Sequence, residues 1–110
     1  MAKYLIKAKY TTGAGVKGLI EDGGTERVKA ATALCASLGG KLESFYFAFG
    51  DVDAYVVADF PDQASAVAAS LTVSGSGLAT VEVVPLVTPE EVDAAVKKSV
   101  VYDAPGKADN

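Results

Sequence analysis

The chain has 110 residues, half of them hydrophobic and 22% charged, which suits one folded domain and excludes both a disordered chain and two full domains. Its formal charge is -4, and its densest basic run is only Lys3, Lys7 and Lys9, so a nucleic-acid partner is not expected. The chain has no histidine, which excludes Ser-His-Asp and Cys-His catalysis and histidine metal sites.

The sequence enters a strand pattern at once, with no long apolar run before it. Neither a signal peptide nor a membrane span is expected. A single cysteine, Cys35, permits no internal disulfide and suits a reducing compartment, so the expected location is the cytoplasm.

Residues 3–10, K-Y-L-I-K-A-K-Y, alternate with period two: Lys3, Lys7 and Lys9 on one face, Tyr4, Ile6, Ala8 and Tyr10 on the core face. Thr11 to Gly24 is rich in glycine and reads as a loop with at most a short turn around Val16–Ile20. Gly13-Ala14-Gly15-Val16-Lys17-Gly18 fits the dinucleotide pattern G-x-G-x-x-G. Its context fails, because the convincing helix begins only at Thr25, read as an N-cap, and the following strand is expected to be antiparallel to its neighbour. After Thr25, Val28, Ala31, Leu34, Cys35 and Leu38 recur at helical spacing, and Gly39-Gly40 ends the helix. Cys35 therefore reads as core rather than nucleophile.

Strands are expected over Lys41–Phe49 and Asp53–Phe60, joined at Gly50–Asp53. A turn centred on Asp51-Val52 pairs Ala48 with Tyr55, Tyr46 with Val57 and Ser44 with Asp59. It sets Phe45, Phe47 and Phe49 against Ala58, Val56 and Ala54 beneath the helices. A longer, symmetric loop keeps these faces. Asp51 and Asp53 read as turn residues, and no metal site is expected there. Asp62 caps a second helix with Ala64, Val67, Ala68 and Leu71 on its buried stripe, broken at Ser74–Gly77. Ala79–Val87 is the fourth strand. Thr88-Pro89-Glu90-Glu91 is a capping box opening a third helix that buries Val92, Ala95 and Val96. One domain over residues 1–102 and a polar tail over 103–110 are expected.

The order β-α-β-β-α-β predicts an α+β, ferredoxin-like sandwich with an extra C-terminal helix and an antiparallel sheet of order 4-1-3-2. Both crossover helices then lie on one side, and the Thr11–Gly18, Gly50–Asp53 and Ser74–Gly77 segments gather at one end. The uncovered face carries Leu5, Lys7, Lys9, Tyr46, Tyr55, Val57, Asp59, Glu82, Val84 and Leu86. That mixture is too apolar for plain solvent exposure and predicts sheet-on-sheet self-association. Lys7 and Lys9 are expected to offset Asp59 and Glu82, either as a structural ion network or as the wall of a small-ligand pocket that also includes Tyr46 and Tyr55.

The strand ending Tyr10-Thr11, the loop through Gly18-Leu19, Gly39-Gly40, Tyr46, the Gly50–Asp53 turn and Pro61-Asp62 resemble the GYD-domain family over roughly residues 3–99. That resemblance implies a small bacterial or archaeal protein of the dimeric α+β barrel group, in which two ferredoxin-like sheets pack face to face. Val52 stands where the family's tyrosine is expected. Either that tyrosine carries chemistry in relatives and is lost here, or it packs and Val52 replaces it.

The leading functional reading is a homo-oligomeric module binding a small ligand or protein partner between the sheets, at Lys7, Lys9, Tyr46, Tyr55, Asp59 and Glu82. A second reading, by fold-level analogy, is a cofactor-free oxygenase or isomerase, with Tyr46 and Tyr55 stacking or donating protons and Asp59 or Glu82 as base. A third is a purely structural assembly subunit. No cofactor, membrane or nucleic-acid partner is expected.

Overall fold

A computed structural model describes residues 1–106; the rest of the expected polar tail, 107–110, lies outside the described residues. The elements are β1 (Ala2–Tyr10), α1 (Ala14–Asp22), α2 (Gly24–Ser37), β2 (Lys41–Phe47), β3 (Ala54–Phe60), α3 (Gln63–Gly75), β4 (Ala79–Leu86) and α4 (Pro89–Val96). The strands form one antiparallel sheet of order β2-β3-β1-β4, which is the expected order read from the other edge. The fold is α+β and ferredoxin-like.

Alternation in β1 sorts the sheet as expected. Tyr4 is buried and stands opposite Ala58, and Ile6 stands opposite Val56. Phe60 is fully buried and meets Tyr4 in a tilted pair with ring centroids 5.9 Å apart. Cys35, Ala66 and Ala69 close this core from the helical side. α2 turns the stripe read from its periodicity inward, with Cys35 buried and Val28, Ala31, Leu34 and Leu38 half-buried, and ends in a Schellman arrangement. Gly39 N–H donates to Ala36 O at 3.1 Å and Gly40 N–H to Cys35 O at 2.8 Å. Gly39 takes φ 73, which a side chain would strain.

Five expectations are corrected. The segment after Thr11 is not a loop, because α1 starts at Ala14, within the glycines. Thr11 supplies what the glycines lack: its Oγ1 accepts from Gly15 N–H at 3.1 Å and its carbonyl from Val16 N–H at 3.0 Å. α2 starts at Gly24, so Thr25 lies inside the helix and caps nothing; Gly23 is the N-cap, with no side-chain cap bond.

The β2–β3 register differs by two residues from that expected. Tyr46 faces Tyr55, Phe45 faces Val56, Phe47 faces Ala54 and Ser44 faces Val57, with a bulge between Leu42 and Ser44. The turn is longer than two residues because Ala48 N–H donates to Asp53 O at 2.8 Å, while Asp53 N–H turns away to Ala8 O at 2.9 Å. Phe49 is left unpaired and 92% exposed. A shift of two preserves which face each side chain takes.

α3 is capped by Asp62 as read, with Ser65 N–H donating to Oδ1 at 2.8 Å. Its buried residues are Ala66 and Ala69, however, while Val67 and Leu71 are exposed. A run this uniformly apolar has little amphipathic contrast, so periodicity could not choose the face. α4 has the full Thr88–Glu91 capping box yet buries no residue; Val92 is 48% and Val96 76% exposed. The described chain measures 64 × 31 × 22 Å with a radius of gyration of 18.0 Å, against about 13 Å for a compact chain of this size. The segment after β4 is an arm.

The three end segments do meet. Tyr10 N–H donates to Asp53 Oδ2 at 2.8 Å, and Thr11 N–H donates to Leu78 O at 3.0 Å.

Candidate functional site

The open face of the sheet is laid out by strand register. One cross-strand row reads Tyr46, Tyr55, Lys7, Glu82; the next reads Ser44, Val57, Leu5, Val84; a third brings together Lys41, Asp59, Lys3 and Leu86. Four of the six expected site residues, Lys7, Tyr46, Tyr55 and Glu82, thus stand in one line across all four strands. Tyr46 is 72% exposed, whereas Leu5, Val57 and Val84 are half-buried.

The charges pair differently from the expected pattern. Lys7 Nζ lies 3.8 Å from Glu82 Oε1, a loose ion pair rather than a hydrogen bond. Asp59 is met not by Lys7 or Lys9 but by Lys3, whose Nζ donates to Asp59 Oδ1 at 3.0 Å and to Glu43 Oε1 at 2.7 Å. These bonds, to Glu43 first and then to Asp59, hold the Lys3 ammonium above the ordinary lysine value. Lys9 instead donates to the Asp51 carbonyl at 3.3 Å, at the hairpin end. Lys3 was legible as a member of the lysine face, but a Lys3–Asp59 pair needed the β1–β3 register, which alternation alone does not give.

The glycine segment offers no anion site. The α1 N-terminal amides of Gly15 and Val16 are taken by Thr11, and that of Lys17 donates to Gly13 O at 2.8 Å. An antiparallel sheet also lacks the parallel switch point at which dinucleotides bind. Asp53 has structural partners on both sides, Tyr10 N–H on its carboxylate and Ala8 O on its amide. Val52, beside it, is half-buried, and its amide donates to Asp51 Oδ1 at 3.0 Å.

A cavity lies on the opposite side of the sheet from the expected pocket. About 280 Å³ opens between α2, α3 and the sheet, lined by apolar side chains such as Ile6, Phe45, Val73 and Val83, with Tyr10 and Arg27 among them. Cys35 is also in its lining, 3% exposed, and burial pushes its thiol up and keeps it protonated. Arg27 Nη2 donates to Asp22 Oδ2 at 2.7 Å, yet its Nε is buried and meets no hydrogen-bond acceptor among the described residues. Burial pushes the Tyr10 hydroxyl up; the Arg27 cation opposes that rise and the Asp53 carboxylate adds to it. Reading Tyr10 as a core-face residue had the right side of the sheet. Arg27 was missed although it stands four residues before Ala31, on the buried stripe of α2.

Among the described residues no cluster of acidic or cysteine side chains could hold a metal ion, and no helix is long and apolar enough to cross a membrane. The chain matches no curated protein and no solved structure. The model of one family, the GYD domain, matches residues 4–96, and with nearly all of its folded part so covered the chain belongs to the GYD-domain family.

Proposed function

We propose that this protein works as a homo-oligomeric binding module in which the open sheet faces of two copies stack and enclose a space for a small ligand or a partner's side chains. The observation that carries this reading is the row Leu5, Val57, Val84: three half-buried apolar side chains in the middle of a face that no element of the chain covers. They are flanked on one side by Lys3–Asp59 and on the other by Lys7–Glu82. An apolar strip bordered by ion pairs is the pattern of an interface core with a polar rim. Lys7, Lys9, Tyr46, Tyr55, Asp59 and Glu82 would line the space between the sheets, with Lys3 joining them.

Magnitudes bring the C-terminal arm into the same reading. Strand spacing and rise make the face about 19 by 23 Å, or roughly 440 Å² in projection, against the roughly 800 Å² per partner of a standard interface. The sheet needs a supplement. Val92, Val96, Val100, Val101 and Tyr102 are all exposed on the arm and could supply it by packing on the second copy.

Native mass spectrometry of the purified chain, with sedimentation velocity over a range of concentrations, tests the proposal. A dimer or larger assembly is expected, and a stoichiometric bound mass would begin to name the ligand. A monomer at every concentration overturns it. Tyr46→Ala and Asp59→Asn should weaken ligand uptake with oligomer size unchanged; if they dissolve the assembly and no ligand is found, the face is structural only.

A further inference from the structure

We propose that the cavity between α2, α3 and the sheet binds a small apolar molecule carrying a single carboxylate, with Arg27 and Tyr10 as its anion contacts. The site is separate from the open face, on the other side of the sheet, and does not depend on self-association.

Three observations converge on that chemistry. The first is size. An engineered apolar cavity of about 150 Å³ takes up benzene, so about 280 Å³ has room for roughly a bicyclic ring system or an acyl chain of similar bulk. Its volume is near the lower end for ligand pockets, about 300 Å³.

The second is the lining. Side chains from β1, β2, β3 and β4 form an apolar floor, and small residues on the helices, Ala30 and Ala31 of α2 and Ala69 of α3, leave the space unfilled. Such walls favour an apolar body over a sugar or nucleotide, whose hydroxyls would go unpaired.

The third is the charge at one wall. A guanidinium has five N–H donors, and Asp22 accepts from Nη2. Nε is left buried with no acceptor among the described residues, although a buried donor ordinarily has a partner. A carboxylate is the group that meets a guanidinium with parallel, charge-assisted hydrogen bonds. Tyr10 lines the same cavity, and its hydroxyl supplies a second donor. An apolar amine would meet Arg27 with the wrong sign, and a hydrocarbon would leave Nε unmatched.

The test uses the full chain and 2-naphthoate, with 2-naphthalenemethanol as its uncharged counterpart, followed by calorimetry and amide chemical shifts. Naphthoate should bind saturably, shifting the amides of Ile6, Ala31 and Val83, and the alcohol should bind at least tenfold more weakly. Arg27→Gln should weaken naphthoate on the order of 10- to 100-fold, the range for a hydrogen bond to a charged group, and leave the alcohol unchanged. Ala31→Leu, which fills the cavity and keeps the cation, should weaken both ligands. Circular dichroism and sedimentation of each variant confirm that fold and assembly are retained. The proposal is overturned by equal affinity for acid and alcohol, by an Arg27→Gln variant that binds naphthoate as well as wild type, or by naphthoate showing no saturable binding.

Discussion

Replacing Leu5 by Glu tests the open face most directly. Leu5 stands between Val57 and Val84 at the centre of that face and is half-buried in the single chain. Full burial of a leucine is worth about 1.5–3 kcal/mol, so covering the exposed half contributes about 1 kcal/mol per copy and 2 per dimer. Desolvating two new carboxylates costs several kcal/mol more. A combined loss of at least about 4 kcal/mol weakens a dimer roughly a thousandfold or more. The folded chain itself should tolerate the change, because Lys3 and Lys7 stand two positions away on the same face and can pair with the new carboxylate. Sedimentation velocity should therefore show a folded monomer for Leu5→Glu where the wild type is associated, with an unchanged far-ultraviolet circular dichroism spectrum. If the variant keeps the wild-type assembly, the sheet face is not the interface, and the reasoning from its apolar strip fails.

Gly15→Ala should destabilise the domain by about 1–3 kcal/mol, the overpacking range, in a urea titration. A Cβ there would run into the backbone carbonyl of Leu78 and crowd Thr11 Oγ1, and backbone cannot give way as a side-chain tip can. Hydrogen bonds from the Ser65 hydroxyl, and then from its amide, hold Asp62 below the ordinary value of 3.8. Its stabilising contribution is thus present above that value and lost as pH falls through the lower folded one; Asp62→Asn, which still caps α3, should show a shallower loss of stability on acidification below about pH 4. Thr88→Ala removes half of the capping box at an intrinsic cost of about 1 kcal/mol, but α4 buries nothing in the single chain. Amide exchange should therefore quicken in α4 alone if the chain is monomeric, whereas a weakened assembly would place the arm in the interface. Because association stabilises by mass action, a tenfold rise in protein concentration should raise Tm by roughly 2 to 5 °C, and a concentration-independent Tm argues against a folded oligomer.

The sheet was legible because period-two alternation in β1 and β3 is unambiguous, and a two-residue register error leaves faces intact. Tyr46, Tyr55, Lys7 and Glu82 therefore share the expected face even though Tyr46 pairs with Tyr55 and not Val57. What failed depended on contacts distant in sequence. α1 forms despite two glycines because Thr11 accepts from its first amides and because Gly15 allows close approach to Leu78, and neither contact is written in local propensity. The face of α3 was misjudged because alanine, valine and leucine occur all round that helix. The cavity under the helices was missed, because a cavity is set by the volume left between elements and not by residue types. Alternation places Tyr10 on the inner side of the sheet, but no sequence pattern measures the gap between α2 and α3.

That gap and the open face have a common origin in side-chain size. Among the described residues the buried hydrophobics are Tyr4, Cys35, Ala54, Val56, Ala58, Phe60, Ala66, Ala69 and Ala79, so alanine supplies five of nine. An alanine core contributes little transfer free energy per residue, and a domain of this length has no large reserve of buried surface to compensate. The apolar bulk lies elsewhere. Part of it, Ile6, Phe45, Val73 and Val83, lines a cavity that the small residues do not fill. Another part, Leu5, Val57 and Val84, faces outward on the sheet, and Val92, Val96 and Tyr102 extend along the arm. A sequence that places its large apolar residues around a void and across an uncovered surface would have its folded state completed by a ligand on one side of the sheet and a second copy on the other. The two are separable by experiment, because Arg27 touches only the first and Leu5 only the second.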